Sequence, residues 1–206
     1  MKINQSSLLE IFVESEIELL VELRMGNGLD REEYEKFIHT FTELIRLWEQ
    51  KGGIPNKAVH PIIEIYAELY QFSLNYSGEE AKRISDAVHQ IYKLREHCLS
   101  SEPNHCQDDI TLDLIKFIDE NNGFFVQMRQ GKGMDQEQFE KIFEELTKIH
   151  GEITSWEAIP KSLVKILIAF YEMDLLVIKY KDVFNMQKEA DEIYDAYERV
   201  FELISG

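Results

Sequence analysis

The sequence predicts an all-α protein of eight helices, built as a tandem duplication of one four-helix unit and folded as two stacked helical bundles. The chain of 206 residues has only 10 Gly and 4 Pro, so few turns interrupt its long periodic segments. Apolar residues recur in those segments at the three- and four-residue spacing of an amphipathic helix. The stretch 23–37 returns 105 positions later as 128–142, which indicates that the unit is present twice.

The repeated stretch predicts the end of one helix, a short turn and the start of the next helix. Gly26 is placed as the C′ residue of the first helix, over about 6–25, because glycine enters the left-handed conformation at little cost. Asp30 is the expected N-cap of the second helix, and Glu33 completes a capping box. The second copy repeats these roles with Gly131, Asp135 and Gln138.

The other helices of the first unit follow from their apolar stripes and their start signals. Pro55 is expected in the first turn of the third helix, where its missing N–H is not needed. Pro61 predicts either a later start of that helix or a kink within it. Ser77 and Glu80 form a capping box in front of the fourth helix. The second helix has the most regular stripe, formed by Tyr34, Phe37, Ile38, Phe41, Leu44, Ile45 and Trp48.

The chain is predicted to divide into two helical units, 1–100 and 108–206, joined by a linker at 101–107. The linker is polar, contains a Pro and shows no period. Corresponding positions of the two units lie 105 residues apart, and the identical residues are mostly core, cap and turn positions. These identical pairs include Leu9/Leu114, Phe12/Phe117, Arg24/Arg129, Gly26/Gly131, Gly28/Gly133, Asp30/Asp135, Ile54/Ile159, Pro55/Pro160, Tyr66/Tyr171, Asp86/Asp191 and Tyr92/Tyr197.

Three features of the second unit are predicted from its own sequence. Its first helix begins near Asp108 and has a kink or local break at 121–123, because Asn-Asn-Gly is a poor helix former. Its third helix opens at Ile159 and Pro160, as the third helix of the first unit opens at 54–55. Its last helix is expected to be capped by Asp182.

The charge of the chain limits its partners. The formal net charge is −17, from 39 acidic and 22 basic residues. An acidic surface repels phosphate, so the sequence predicts no nucleic-acid partner, and it disfavours an anionic membrane surface. Two interpretations of the charge remain open, a surface that docks a basic protein and a solvated exterior that keeps the chain soluble.

The chain is predicted to be cytoplasmic. Glu10, Glu14, Glu16 and Glu18 interrupt any apolar segment of a signal peptide. The most apolar stretch, 163–180, contains four charged residues and is not a plain membrane span. The two Cys residues imply no disulfide framework.

Five residues are candidates for a binding site. Arg24 and Arg129 end the first helix of each unit, where an Arg either pairs with an acidic residue of its own unit or grips a carboxylate ligand. Tyr66 and Tyr171 occupy corresponding positions and are candidates to line a pocket between helices. Trp156 falls in a predicted irregular loop, where an exposed Trp is a typical anchor for a partner protein.

No catalytic residue, metal site or cofactor is predicted. His97, Cys98, His105 and Cys106 place four nitrogen and sulfur donors within ten residues, but their spacing matches no familiar zinc pattern. The di-iron pattern of helical bundles, with Glu-x-x-His on two helices, is also missing from the sequence. No nucleophile elbow or phosphate-binding loop occurs, although a triad assembled by the fold remains open.

The expected function is that of a non-catalytic protein-binding module of the inhibitor, immunity or adaptor type, whose acidic surface engages a basic protein. The alternative is a small-molecule-binding sensor or enzyme, with a pocket between helices or between the two units. Salt-sensitive capture of a basic protein favours the first function. A filled cavity lined by Tyr66, Tyr171 or Arg129 favours the second. The sequence specifies neither the partner nor the oligomeric state.

Overall fold

The computed structural model describes residues 4–49, 51–100, 114, 123–153 and 155–205. These residues are mostly helical, which confirms the all-α class. The predicted linker and the start of the second unit near Asp108 lie outside the described residues. The elements are α1 (Gln5–Arg24), α2 (Arg31–Trp48), β1 (Gly53–Pro55), α3 (Asn56–Asn75), α4 (Gly78–Ser100), α5 (Phe124–Arg129), α6 (Gln136–Ile153), β2 (Ala158–Pro160), α7 (Lys161–Tyr171), α8 (Met173–Asp182) and α9 (Gln187–Ser205).

The chain forms two compact units. Unit 1 comprises the described residues of Met1–Cys106 together with Ala158–Val164. Unit 2 comprises those of Gln107–Glu157 and Lys165–Gly206. In unit 1, α1 packs on α2 and α3, and α3 packs on α4. In unit 2, α9 packs on α8 and on α6.

Unit 1 contains a two-stranded antiparallel sheet that the sequence does not predict. β1 pairs with β2 so that Ile54 lies opposite Ile159, and both residues are buried. Each strand has only three residues, too few to show the alternating pattern of a strand. The prediction that Pro55 and Pro160 stand within the first turns of their helices is wrong, because each is the last residue of its strand and the helices α3 and α7 begin at the next residue.

The aromatic side chains of α1 and α2 form the core of unit 1. Phe12, Phe37 and Phe41 are fully buried. The ring centroid of Phe12 lies 4.9 Å from that of Phe37 and 5.1 Å from that of Phe41. Trp48, the last residue of the predicted stripe, is also fully buried. Because aromatic side chains bury large apolar areas, this cluster is expected to contribute much of the stability of unit 1.

Gly26 ends α1, as predicted. Its φ of 80° is left-handed, and its N–H donates to the carbonyl of Leu23, while the N–H of Asn27 donates to the carbonyl of Glu22. These two bonds form a Schellman motif, which satisfies carbonyl groups that the helix end leaves without partners. Gly131, with a φ of 77°, ends α5 with the same pair of bonds.

The predicted N-caps of α2 and α6 are also confirmed. The return bond of each capping box is not observed, because the carboxylate of Glu33 accepts from Lys36 and Oε1 of Gln138 has no partner among the described residues. Asp30 Oδ1 accepts a hydrogen bond from the backbone N–H of Glu33 at 3.0 Å. Asp135 Oδ1 accepts one from the backbone N–H of Gln138 at the same distance. Each bond satisfies one of the free N–H groups of the first helical turn, so the sequence specifies where these helices begin.

Two irregular positions were expected near Pro61 and at 121–123. Pro61 lies within α3, which already begins at Asn56, so the alternative of a later helix start is wrong. Gly123 has a left-handed φ of 68° and directly precedes α5, which agrees with the predicted break.

The helix ends near the C-terminus differ from the prediction. The segment expected to be a single third helix forms two helices, α7 and α8, which are separated at Glu172. The prediction that Asp182 caps the last helix is wrong, because Asp182 is still the last residue of α8. The chain turns only after it, near Asn185, whose φ is 55°, and α9 begins at Gln187.

A tyrosine hydroxyl fixes the turn that follows the Schellman motif. In unit 1 the hydroxyl of Tyr76 accepts a hydrogen bond from the N–H of Gly28 at 3.2 Å and donates one to the carbonyl of Leu23 at 3.0 Å. The hydroxyl thus bridges the end of α1 and the turn. The same bridge in unit 2 is made by Tyr180, Gly133 and Met128, with distances of 2.8 and 2.9 Å.

Substitution of Gly28 with Ala is expected to lower the free energy of unfolding by about 1–3 kcal/mol. Gly28 has a φ of 86°, and an added Cβ would lie 2.7 Å from Oε1 of Glu80. That oxygen accepts a hydrogen bond from the N–H of Leu29 at 2.6 Å, so it is not free to move away. Urea-induced unfolding measures the change.

The matched control is Gly151→Ala within α6, where no atom lies within 4 Å of the added Cβ. Here the substitution is expected to stabilise by about 0.5–1 kcal/mol. A similar change of both variants in the same direction would contradict the assignment.

Candidate functional site

Arg24 lies in a cluster of charged side chains between α1 and α3. Its Nη2 is 3.2 Å from Oε1 of Glu64 and 3.0 Å from Oε2 of Glu68. Arg24 thus pairs with acidic residues of its own unit, as one of the two interpretations of this residue predicts. Its side chain is half exposed, so the ion pairs orient the groups and add only modestly to stability.

Glu16 is a buried carboxyl group in the same cluster. Only 3% of the residue is exposed, and its Oε1 has no hydrogen-bond partner in the described part of the chain. Burial and the nearby carboxylate of Glu64 raise the pKa of Glu16 from 4.5 to about 7, although His60 and Arg24 act in the opposite direction. Glu16 is therefore a group that takes up and releases a proton near neutral pH.

His60 and Glu64 form an ion pair beside Glu16. Nδ1 of His60 lies 3.0 Å from Oε2 of Glu64. This contact raises the pKa of His60, and it lowers the pKa of Glu64 although Glu64 is partly buried. We call Glu16, Arg24, His60, Glu64 and Glu68 the α1–α3 cluster. It combines a proton-exchanging carboxyl group with fixed charges, which is an arrangement that can serve acid–base chemistry.

Three buried charged residues, Glu16, Arg95 and Lys161, were not predicted from the sequence. The first two carry the same sequence signal, a charged residue on the apolar stripe of its helix. Glu16 stands four residues after Phe12, and Arg95 stands four residues after Ile91. Because Asp, Glu, Lys and Arg are almost never fully buried without a partner, a charge at such a position marks a site that needs an explanation.

Tyr66 contacts α4 and belongs to the packing of α3 on α4. Its ring centroid lies 4.4 Å from Cζ of Arg95 and 5.7 Å from the ring of Tyr92. Arg95 is only 3% exposed, so the guanidinium group meets the ring with little competing water. In this structure Tyr66 therefore supports the interior of unit 1, and Arg24 makes its contacts elsewhere on α3.

The predicted site residues of unit 2 also have partners within their own unit. Nη2 of Arg129 lies 4.0 Å from Oε2 of Glu172, at the outer limit of an ion pair. The ring of Tyr171 lies 6.2 Å from the rings of Tyr197 and Phe201. Trp156 is half-buried in the connection between α6 and β2.

An open groove runs along unit 1 between α2 and α4. It has a volume of about 300 Å³ and is lined by Arg31, Tyr34, Glu35, Arg83, Asp86 and Gln90, among others. A second hollow of about 630 Å³ shares Tyr34, Glu35 and Gln90 and continues along α2 past His39 to Arg46. We call the first of these the α2–α4 groove.

Tyr34 lines the α2–α4 groove. Its hydroxyl donates a hydrogen bond to Oε1 of Gln90 at 2.9 Å, which links α2 to α4. Burial and the negative charge of Asp86 raise the pKa of Tyr34 to about 12, so the hydroxyl stays protonated at neutral pH. The groove thus combines an aromatic ring, a neutral hydroxyl group and the carboxylates of Glu35 and Asp86.

The four potential zinc donors are only partly within the described residues. Cys98 is a free thiol that is almost fully buried, and burial raises the pKa of Cys98 to about 12, which makes the thiol unreactive. Nε2 of His97 lies 3.6 Å from Oε1 of Glu49. His105 and Cys106 lie outside the described residues.

The described residues show no metal-binding group and no membrane-spanning helix, and the chain matches no known protein family or structure. No three His, Cys, Asp or Glu side chains within the described ranges are grouped so that they could hold a metal ion. None of the helices in those ranges combines the length and the apolar character needed to cross a membrane. Comparison of the chain with protein-family models, with curated proteins and with solved structures gives no match.

Proposed function

We propose that the protein is a non-catalytic binding module whose acidic surface engages a basic protein partner. The distribution of charge carries this proposal. The net charge is −17. Among the described residues the buried charged side chains are those of Glu16, Arg95 and Lys161. Because two of these three are basic, the exposed charged side chains of the described residues have a more acidic balance than the composition of those residues.

Such a surface favours a basic protein for a physical reason. Complementary charge steers the partner during diffusion and raises the association rate, mostly at low ionic strength. The same charge opposes binding to nucleic acid. An inhibitor, immunity or adaptor protein that neutralises a basic partner needs this surface and needs no catalytic group. We place this activity in the cytoplasm. Trp156 is a further candidate contact with the partner, because Trp is enriched among binding hot spots.

The proposal is tested by capturing the partner from native lysate with the full chain as bait, at about 50 and about 500 mM salt. Retained proteins are identified by mass spectrometry and purified, and their dissociation constants are measured by calorimetry. An unrelated acidic protein of similar net charge serves as the control bait for plain ion exchange. We expect at least one basic protein that the control does not retain, with affinity that falls about tenfold or more as salt is raised. If no protein is retained specifically at low salt, the proposal fails.

A second candidate function, a small-molecule sensor or an enzyme, is supported by the α1–α3 cluster. A buried carboxyl group with a strongly shifted pKa is a frequent mark of a functional site. Glu16 has this property, and His60 and Glu64 lie next to it. A thermal-shift screen with small metabolites tests this function at about pH 7. A ligand that stabilises the wild type but not the Glu16→Gln variant would favour it over the protein-binding function.

We infer further that the two units arose by tandem duplication of one four-helix segment. The support is the repeated Schellman motif at Gly26 and Gly131 and the tyrosine bridge that follows it in each unit. The tyrosines themselves do not occupy corresponding positions, because Tyr76 and Tyr180 are 104 residues apart, whereas pairs on both sides of them, such as Tyr66/Tyr171 and Asp86/Asp191, keep the offset of 105. A crystal structure tests the inference. Residues 8–99 and 113–204 are expected to superpose helix for helix, and a different helix order would overturn it.

A further inference from the structure

The two units differ in a contact between their second and last helices. In unit 2 the side chain of Arg199, on α9, reaches across to α6. Its Nη1 and Nη2 donate to the two carboxylate oxygens of Glu140 at 2.6 and 2.8 Å. Its guanidinium carbon lies 4.4 Å from the ring centroid of Phe143 and 5.1 Å from that of Phe139. In unit 2 one carboxylate and two aromatic rings therefore hold an arginine between α6 and α9.

Unit 1 has a carboxylate and an aromatic ring at the corresponding positions but no such arginine. The positions 105 residues earlier on α2 are Glu35 for Glu140, Tyr34 for Phe139 and Ile38 for Phe143. The position that corresponds to Arg199 is Leu94, whose aliphatic side chain cannot pair with Glu35. Tyr34 and Glu35 line the α2–α4 groove, which has a volume of about 300 Å³, whereas Leu94 is not one of its lining residues.

Two carboxylates of the α2–α4 groove are available to a cation. Asp86 makes no hydrogen bond or ion pair with any residue in the described part of the chain. Oε1 of Glu35 accepts a bond from Nε of Arg31 at 2.8 Å, but the two side chains are 63% and 90% exposed. An exposed pair one helical turn apart contributes little, so a partner displaces Arg31 from Glu35 easily.

We propose that the α2–α4 groove receives an arginine side chain of the basic partner protein, with its guanidinium group on Glu35 and Asp86 and its plane against the ring of Tyr34. The proposal rests on the proposed function and names the site at which that function is exercised. Arginine fits better than lysine, because its planar fork pairs with a carboxylate through two bonds and stacks on an aromatic ring. Arg199 of unit 2 shows that this chain already holds a guanidinium group in this way.

The arginines in the groove and in the hollow beside it do not prevent an arginine of the partner from binding there. Arg83 and Arg46 are mostly exposed, and each is bound to a glutamate of its own helix, Glu80 and Glu43. Their charges are therefore largely compensated before a partner arrives. The carboxylate of Asp86 is the one in the groove that has no such compensation within the described residues.

The first test uses the full chain and a chemical probe, so that it does not depend on finding the partner. The protein is titrated with N-acetyl-arginine amide and, separately, with N-acetyl-lysine amide, and backbone amide shifts are followed by NMR. We expect saturable shifts centred on Tyr34, Glu35 and Asp86, with a dissociation constant on the order of millimolar for the arginine probe and about tenfold weaker binding of the lysine probe. Shifts that are absent from the groove, or equal for both probes, would overturn the proposal.

A variant that occupies Glu35 provides the matched control. Leu94→Arg places an arginine at the position of Arg199, where it can pair with Glu35, and is expected to abolish the shifts of the arginine probe. Leu94→Gln changes the same position without adding a guanidinium group and is expected to retain them. Unchanged circular dichroism of both variants shows that the fold is kept. If Leu94→Arg binds the probe as the wild type does, the groove is not the site.

The captured partner then separates the two proposals. Asp86→Asn and Glu35→Gln are each expected to weaken its binding about tenfold or more, whereas Asp191→Asn, at the corresponding position of unit 2, is expected to change it less than about twofold. A specific basic partner whose affinity is unchanged by the first two variants contradicts the groove but leaves the protein-binding function standing. If no protein is captured specifically, the protein-binding function is contradicted. Micromolar binding of free arginine without competition from the partner would assign the groove to a small molecule instead.

Discussion

Replacement of Glu16 with Gln is expected to raise the free energy of unfolding by about 3 kcal/mol at about pH 8.5 and to leave it nearly unchanged at about pH 4. Folding raises the pKa of Glu16 from 4.5 to about 7, because the folded protein buries the carboxyl group beside Glu64. At about 1.4 kcal/mol per pKa unit, this shift gives the expected magnitude.

The sign follows from proton binding. The folded state holds the proton of Glu16 more tightly than the unfolded state, so the protonated carboxyl stabilises the fold fully below pH 4.5. That contribution is lost as the pH rises through about 7. Gln carries no ionisable group, so the variant escapes this loss and is the more stable protein in alkaline solution.

Urea unfolding of the wild type and of Glu16→Gln at several pH values measures this difference. The contributions of His60 and Glu64 are present in both proteins. His60 stabilises below its unfolded pKa and Glu64 above its own, because their contact raises the first pKa and lowers the second. Glu10→Gln, an exposed change on the same helix, is the control and is expected to show no comparable pH dependence. A difference between wild type and Glu16→Gln that does not grow with pH would mean that Glu16 is not buried as described.

Replacement of Phe12 with Ala is expected to lower the free energy of unfolding by about 3–5 kcal/mol. The side chain is fully buried, and its ring contacts those of Phe37 and Phe41 at the centre of unit 1. Removal of the ring loses its transfer free energy and leaves a cavity that the aromatic neighbours fill only partly. Chemical denaturation followed by circular dichroism measures the change.

The control for Phe12 is an apolar residue on the opposite face of the same helix. Val21 is 41% exposed, and Val21→Ala is expected to change the stability by no more than about 0.5 kcal/mol. Similar effects of the two substitutions would show that α1 does not present its Phe12 face to the core. If Phe12→Ala fails to fold at all, the milder Phe12→Leu is expected to remain folded and to be clearly less stable than the wild type.

The elements that follow from local sequence are those that could be predicted. The start of α2 is specified by Asp30 and its stripe by Phe37 and Phe41, which all act within a few residues. The pairing of Ile54 with Ile159 could not be predicted, because it joins residues about a hundred positions apart through strands too short to show a pattern. Asp182 was misjudged because a cap residue and a residue in the last helical turn look alike until the length of the preceding helix is known.

The candidate site is less accessible to sequence reasoning than the fold. Arg24 could be identified from its repetition, but its partners Glu64 and Glu68 become evident only when α1 and α3 pack together. The pKa of Glu16 depends on burial and on charges from two helices, which no single stretch of sequence contains. The α2–α4 groove is lined by Tyr34 and Glu35 from one helix and by Asp86 from another, so no single stretch of sequence reveals it.

The short sheet has a consequence for the synthesis of the protein. The edge of β1 is covered by β2, and the N–H of Lys161 donates to the carbonyl of Gly52, so the end of unit 1 is supplied by residues far downstream. A nascent chain released after residue 107 would lack these residues and present Ile54 uncovered. The ribosome must therefore translate past residue 164 before unit 1 has all of its parts. A chain divided near residue 107 would separate β1 from β2.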